Sequence, residues 1–120
     1  MRKITLQGEF ADLNTHDNAN RRNRFAGSKL KKEETDRVAW ELCKEKPIPK
    51  SIRPIHIDFI WHCKNKKKDK DNVAFAKKYI FDGMVKAGLL PNDGWNEIED
   101  WTDSFQVSNE PKVELLITKP

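Results

Sequence analysis

The sequence has no long apolar stretch. No segment approaches the roughly 18 to 20 consecutive apolar residues that a membrane-spanning helix requires. Met1-Arg2-Lys3 leads directly into Ile4 without the apolar stretch of a signal peptide. These absences predict a soluble, cytoplasmic protein that does not associate with a membrane.

Cysteine and glycine are also scarce. The two cysteines, Cys43 and Cys63, are expected to be free thiols, because the cytoplasm is a reducing compartment. Five glycines are present, and none belongs to a Gly-rich loop that binds phosphate. This argues against a nucleotide-sugar enzyme, and we expect no small-molecule cofactor.

Apolar residues make up 37% of the 120 residues and charged residues 35%, and the mean hydropathy is −0.84. A chain of this length and composition has room for one small hydrophobic core under a very polar surface. We therefore predict a single domain over residues 1–120, which would gain stability from dimerising.

The net charge of +4 is unevenly distributed. Residues 1–70 contain 18 Lys and Arg against 10 Asp and Glu, whereas residues 71–120 contain 5 against 9. Two basic clusters stand out, at residues 21–32 and 64–70, and such clusters suit a polyanion. The second cluster runs directly into Asp69-Lys70-Asp71, so groups that could hold a phosphate backbone adjoin carboxylates that could hold a metal ion. Phosphodiester chemistry needs both.

Hydrophobic periodicity predicts an α/β (α+β) fold. Alternating apolar residues indicate four strands, three-and-four spacing indicates two helices, and the polar residues 11–27 are predicted to form a loop. The predicted order is strand, helix, strand, helix, strand, strand, giving a small mixed sheet packed on two helices. The predicted strands are residues 4–10, 55–63, 103–107 and 113–118, with a hairpin connection over 109–112. The predicted helices run from Ser28 as N-cap to about Lys46, and from Asp71 or Asn72 to Gly88.

Asp69 and Asp71 are candidate metal ligands. They lie where a strand and a basic loop give way to a helix, and magnesium binds through one or two carboxylates while keeping several waters. A calcium-binding EF-hand is excluded, because Val73 occupies the position of the third ligand and Ala74 that of the required glycine. Magnesium is therefore the predicted ion.

A longer pattern around these aspartates resembles the RusA family of Holliday junction resolvases. The resemblance covers residues 64–95 and the last strand, 113–118; in the N-terminal third it comprises the early strand, Asn14 and the basic residues after it. The residues that carry it are Asp69-Lys70-Asp71-Asn72, Lys78, Asp82, Lys86-Ala87-Gly88 and Asn92-Asp93.

The resemblance implies a homodimer that binds four-way branched DNA and cuts opposed strands in pairs. In the family three aspartates bind magnesium, and their counterparts here are Asp69, Asp71 and Asp93. The resemblance also implies a host cell that is bacterial or infected by a phage, with the protein near the nucleoid.

A family lysine assists catalysis, but the spacing here departs from the common one. Counting forward from Asp71 reaches Phe75 at the expected position, whereas counting back from Asp82 reaches Lys78. On a continuous helix, Lys78 stays within about 60° of the expected direction and Lys77 does not. We therefore predict Lys78 as the catalytic lysine, with Lys77 as the alternative.

DNA contacts are predicted in the two basic clusters and at Asn14, the residue of the early loop that the resemblance includes. Long basic side chains in segments without an apolar period suit phosphate contacts. The predicted DNA-binding residues are Asn14, Arg21, Arg22, Arg24, Lys66, Lys67 and Lys68.

Two alternatives to the resolvase remain at this stage. The first is a less selective nuclease that recognises DNA structure, and the second is a DNA-binding module without catalysis whose aspartates only cap a helix. A zinc site at His56 and His62 is not expected, because no further ligands have suitable spacing, and these side chains are predicted on a surface or dimer-contact face.

The four tryptophans are predicted mainly as core residues. Trp40, Trp61 and Trp101 are expected to be buried. Trp95 follows Asp93 by two residues and is expected to fill the core under that turn, with stacking on an unpaired base as the alternative.

Overall fold

The computed structural model describes all 120 residues. It contains four strands, four α-helical segments and one short 3-10 turn. In chain order these are β1 Arg2–Gln7, α1 Leu13–Arg22, α2 Arg24–Leu42, the 3-10 turn Lys50–Ile52, β2 Ile55–Cys63, α3 Lys70–Ala74, α4 Lys77–Lys86, β3 Ile98–Val107 and β4 Lys112–Thr118.

The strands form one mixed sheet in the order β1-β4-β2-β3. β2 pairs in parallel with β3 on one side and antiparallel with β4 on the other, and β1 pairs antiparallel with β4. The predicted α+β fold with a small mixed sheet is thus confirmed. β1 and β3 are the edge strands.

The predicted hairpin between the last two strands is wrong. β3 and β4 lie on opposite sides of β2, so residues 108–111 cross the end of β2 instead of making a tight turn. Burial explains the order, because β4 buries Val113, Leu115 and Ile117, whereas β3 buries only Ile98. The more apolar strand occupies the interior position.

The core lies between the helices and one face of the sheet. β2 contributes Ile55, Ile57, Phe59 and Trp61, which confirms the alternation predicted for residues 55–63. The principal core residues from the helices are Val38 and Leu42 of α2 and Tyr79, Ile80 and Met84 of α4. None of the helices combines the length and apolar composition needed to cross a lipid bilayer.

Residues 11–27 are mostly helical, so the predicted loop is wrong. The side chain of Asp12 accepts from the Thr15 N–H at 2.8 Å and caps α1, and Asn23 caps α2 by accepting from the Ala26 N–H at 2.7 Å. Ser28 lies inside α2 and is not its N-cap. Since α1 buries no residue, it lacks the apolar periodicity by which a helix is predicted.

The predicted helix from residue 71 to residue 88 is interrupted. α3 ends at Ala74 and α4 starts at Lys77, with Phe75 and Ala76 forming a tight turn between them. Gly88, with a positive φ of 84°, follows α4 as predicted. Phe75 and Ala76 keep helical dihedral angles, but the hydrogen bonds at this turn span three residues instead of four, and such tighter winding shifts the side chains that follow around the helix axis.

The predicted burial of the tryptophans is confirmed only for Trp61. Trp40 is 79% exposed, Trp101 on the edge strand is 47% exposed, and Trp95 is 94% exposed. Trp95 therefore does not fill the core beneath its turn. Cys43 and Cys63 are free, as predicted.

Candidate active site

A groove opens where β2 ends and α3 begins. The loop after β2, helix α3 and the last residues of β3 line it, and its volume is about 640 Å³. Phe105 and Val107 form its apolar side. The polar side chains from the loop and α3 are those of Asn65, Lys66, Lys68, Asp69, Lys70 and Asp71. Acidic and basic groups therefore share one groove.

Asp69 and Asp71 contribute free carboxylates to this groove. Asp69 occupies the N-cap position of α3, but its side chain accepts no capping hydrogen bond, and Asp71 lies in the first turn. Both residues are exposed. The ion pairs around them use the carboxylates of Glu9, Asp12 and Asp103 instead. The oxygens of Asp69 and Asp71 thus remain available to a cation.

Asp93 lies at the opposite end of the sheet. It precedes β3, whose first residue, Ile98, pairs with Ile55 at the start of β2, whereas Asp69 follows the end of β2. The nine residues of β2 separate the two ends by roughly 26 Å. No three His, Cys, Asp or Glu side chains lie close enough to hold one metal ion. The structure therefore does not bring Asp69, Asp71 and Asp93 together within one chain, because α4 carries the chain back along β2 before Asp93.

The lysine beside the aspartates is Lys77 and not Lys78. Lys77 lines a second pocket of about 440 Å³ together with Asp71 and Asp103, whereas Lys78 is exposed and lines neither this pocket nor the groove. The prediction of Lys78 assumed an unbroken helix from Asp71. The chain is interrupted at Phe75 and Ala76, and the structure places Lys77 instead of Lys78 in the pocket that Asp71 lines.

Asp103 is a site residue that the sequence analysis missed. Its Oδ2 accepts from the Lys77 ammonium at 2.6 Å, and its Oδ1 accepts from the Trp61 indole N–H at 2.9 Å. It pairs with Phe59 across the two parallel strands and so faces the helices. The only signal in the sequence is an acidic residue between Trp101 and Phe105 in the alternating pattern of β3.

The Lys68 ammonium forms ion pairs with two carboxylates. Its ammonium lies 3.1 Å from Glu9 and 2.9 Å from Asp12, and the hydrogen bonds to Asp12 and Glu9 raise the pKa of Lys68 above its usual value. This joins the basic loop to the start of α1. Of the three lysines predicted to contact DNA in this loop, Lys68 thus already pairs with carboxylates of its own chain, whereas Lys66 and Lys67 are exposed and pair with none.

Arg21, Arg22 and Arg24 lie at the corner between α1 and α2, where all three are exposed. Arg22 also lines a shallow groove between these helices. None of the three pairs with a carboxylate, so their guanidinium groups are available to phosphates. They occupy helix ends and not the loop that was predicted.

Asn14 lies next to the aspartate motif. Its backbone N–H donates to the side-chain oxygen of Asn72 at 3.0 Å, and His16 packs on Phe75 with ring centroids 5.0 Å apart. The start of α1 is thus held against α3. This contact brings the predicted N-terminal part of the site to Asp71.

His56 and His62 lie on the face of the sheet that carries no helix. His56 contacts Asp100 at 2.5 Å and Asp58 at 2.7 Å, and the hydrogen bonds to Asp100 and Asp58 raise the pKa of His56. His62 contacts Glu114. Each imidazole therefore interacts with carboxylates of the sheet.

The chain was compared with models of known protein families and with characterised proteins, and neither comparison found a match. The resemblance to RusA resolvases therefore rests on the motif residues alone.

Proposed function

We propose that the chain is a magnesium-dependent endonuclease that resolves four-way DNA junctions by paired phosphodiester hydrolysis. The observation that carries this proposal is the groove, in which the free carboxylates of Asp69 and Asp71 adjoin Lys66 and Lys70. Groups that hold a cation beside groups that hold phosphate oxygens meet the needs of metal-assisted phosphodiester hydrolysis. The four-way junction as substrate rests on the resemblance to RusA resolvases.

The donor groups of the groove fit magnesium. This ion binds through one or two carboxylates and completes its shell with water and substrate phosphate, and Asp69 and Asp71 supply two carboxylates. When bound, magnesium supplies an acidified water molecule and neutralises charge on the scissile phosphate. Lys66 and Lys70 hold the neighbouring phosphates, and Arg21, Arg22 and Arg24 hold a more distant part of the junction.

Asp93 joins the other aspartates from a second copy of the chain. β3 is an edge strand with unpaired backbone groups, and it exposes Trp101 and Val107. It contains no proline and no lysine, the residues that usually protect an edge. Antiparallel pairing of two β3 strands would bring the Ile98 end of one strand beside the Val107 end of the other. Asp93 of one chain would thereby lie at the groove of its partner.

Charge supports this antiparallel arrangement. The acidic residues Glu99 and Asp100 lie in the first half of β3, and the last four residues, 104–107, are neutral. Antiparallel pairing sets Glu99 and Asp100 of one strand against the neutral residues 104–107 of the other, so these like charges do not meet. A homodimer with two such sites accounts for paired cutting of opposed strands.

A DNA-binding module without catalysis is the second candidate, because one chain alone assembles no three-ligand metal cluster. The substitution Asp71→Asn separates the two functions. We expect it to retain junction binding and abolish cleavage of a labelled four-way junction in magnesium. Asp17→Asn is the matched control, since Asp17 lies on α1 outside the groove.

The same assay tests the substrate class. The unaltered protein should cleave a four-way junction faster than a flap or a linear duplex, and equal rates on all three would replace the resolvase by a less selective nuclease. An Asp71→Asn protein that cleaves as fast as the Asp17→Asn control would refute the catalytic role of the groove.

A further inference from the structure

The pocket between α3, α4 and β3 adjoins the groove, and Asp71 lines both. Besides Asp71, its walls include Lys70, Lys77, Asp103 and Phe105. Lys77 and Asp103 are only 14% and 24% exposed at their side chains, in a protein whose other lysines mostly reach into solvent. This pair is thus a partly enclosed ion pair at the border of the candidate site.

Asp103 is held in place by the core. Trp61 is buried, and its indole N–H donates to one carboxylate oxygen of Asp103 at 2.9 Å. The other oxygen accepts from Lys77 at 2.6 Å. Rotation of the Asp103 side chain would break the bond to a buried indole, which would then lack a partner. The position of Asp103 Oδ2, which accepts from Lys77, is therefore fixed.

Two aromatic rings also lie close to the Lys77 ammonium. Its ammonium lies 5.1 Å from the ring centroid of Trp101 and 5.4 Å from that of Phe59. These are cation–π distances. An ammonium has three N–H donors, and the hydrogen bond to Asp103 uses one of them. Two donors remain for a ligand in the pocket that Lys77 shares with Asp71.

We propose that Asp103 is a positioning residue that holds the Lys77 ammonium beside Asp71, where Lys77 donates to a non-bridging oxygen of the scissile phosphate. This inference rests on the proposed nuclease function. Negative charge grows on the phosphate oxygens in the transition state, and a donor already fixed in place stabilises it without reorganisation. Lys77, not its exposed neighbour Lys78, is then the lysine that touches the reacting group.

Simple attachment of α4 to the sheet does not explain the pair. Phe81 of α4 already packs edge-on against Phe59 of β2, with 5.7 Å between ring centroids, and in a tilted arrangement against Trp101 of β3, with 5.4 Å. Apolar contacts thus join these elements without a charge. Attachment of α4 to the sheet also does not require the ion pair to line the pocket that Asp71 lines.

The test is single-turnover cleavage of a four-way junction in magnesium by Lys77→Met, Asp103→Asn and the double variant. We expect Lys77→Met to slow cleavage about 100-fold and Asp103→Asn about 10-fold, with junction affinity and melting temperature nearly unchanged. The double variant should cleave no more slowly than Lys77→Met, because Asp103 acts through Lys77. Lys78→Met is the matched control and should retain the rate of the unaltered protein.

Three results would overturn the proposal. The first is an equal or larger loss in Lys78→Met than in Lys77→Met. The second is an Asp103→Asn loss that persists in full on the Lys77→Met background, as a purely structural role requires. The third is a loss of cleavage rate in these variants that is matched by a fall in their melting temperature. If Asp103→Asn does not fold, the comparison of Lys77→Met with Lys78→Met decides.

Failure of the nuclease function itself has a different signature. In that case the unaltered protein does not cleave, or Asp71→Asn cleaves as well as it does, and the positioning role is lost with the function. If Asp71→Asn is inactive while Lys77→Met and Asp103→Asn cleave at the full rate, the nuclease stands and only the positioning role is overturned.

Discussion

Gly83 of α4 lies directly against Val38 of α2. A Cβ atom built on Gly83 would stand 2.4 Å from Val38 Cγ1 and 3.2 Å from the backbone nitrogen of Ala39. The two helices approach at this point closely enough that only glycine fits. The crossing sets the position of α4 over the sheet, and through it the position of Lys77 at the start of the same helix.

Gly83→Ala should therefore destabilise the protein by about 1 to 3 kcal/mol. Alanine normally stabilises a helix relative to glycine by about 1 kcal/mol, so the overlap with Val38 must outweigh that gain. Urea unfolding followed by circular dichroism measures the change. The double variant Val38→Ala/Gly83→Ala should lose less than the two single changes together, because the smaller side chain makes room. Full additivity would contradict the close crossing.

A site shared between two chains predicts complementation between inactive variants. Asp71→Asn and Asp93→Asn should each abolish cleavage as homodimers. After mixing and exchange of subunits, half of the dimers contain one of each variant, and one of their two sites carries both intact residues. Nicking of a four-way junction should then return to about a quarter of the normal rate.

A mixture that stays inactive after exchange would place all three aspartates in the same chain or exclude Asp93 from the site. Asp71→Asn mixed with itself is the control for residual activity. Exchange is confirmed by mass spectrometry of one isotope-labelled subunit.

The His56 interactions predict a loss of stability at alkaline pH. Hydrogen bonds to Asp100 and Asp58 raise the pKa of His56 above its usual value of 6.5, so the folded state binds this proton more tightly than the unfolded chain does. The stabilisation is complete below about pH 6.5 and is lost as the pH rises through the higher pKa of the folded state.

The free energy of unfolding, measured in urea between pH 5 and 9, should therefore fall more steeply for the unaltered protein than for His56→Gln. The difference between the two curves isolates His56 from other groups that titrate in this range. Parallel curves would show that the contacts with Asp58 and Asp100 do not persist in solution.

Because Trp95 does not fill the core, the alternative role, stacking on an unpaired base, becomes the one to test. Trp95 is 94% exposed and two residues from Asp93, and stacking of a base on an aromatic ring contributes about 1 to 3 kcal/mol. Trp95→Ala should weaken binding to a four-way junction by this amount and leave binding to linear duplex almost unchanged. Trp40→Ala is the control, because Trp40 is 79% exposed on α2. Equal effects of the two substitutions would exclude stacking.

Periodicity predicted those elements whose side chains sort cleanly between core and solvent. β2 runs from Ile55 to Cys63, as its alternation indicates, and α4 is followed by Gly88. α1 was missed because it contains only two apolar residues, Leu13 and Ala19, and buries neither fully. Its signals were the capping side chains of Asp12 and Asn23, which act locally and leave no apolar pattern.

The candidate site was predictable where its residues are neighbours in the chain. Asp69 and Asp71 share the groove with the basic loop because the loop and both aspartates lie within ten consecutive residues of the chain. The location of Asp93 depends on how β3 pairs with β2, and the orientation of Lys77 depends on the interruption at Phe75. Neither is encoded in the spacing of the residues. Asp103 reaches the site only through the register that pairs it with Phe59.

The placement of Asp69 and Asp71 at one end of the sheet and Asp93 at the other has a kinetic consequence. In the proposed dimer a lone chain carries two half-sites and no complete one. Below the dimer dissociation constant, the cleavage rate should rise with the square of the protein concentration, and above it linearly. At low protein concentration DNA would thus stay uncut, and cleavage would begin only once the concentration is high enough for dimers to form.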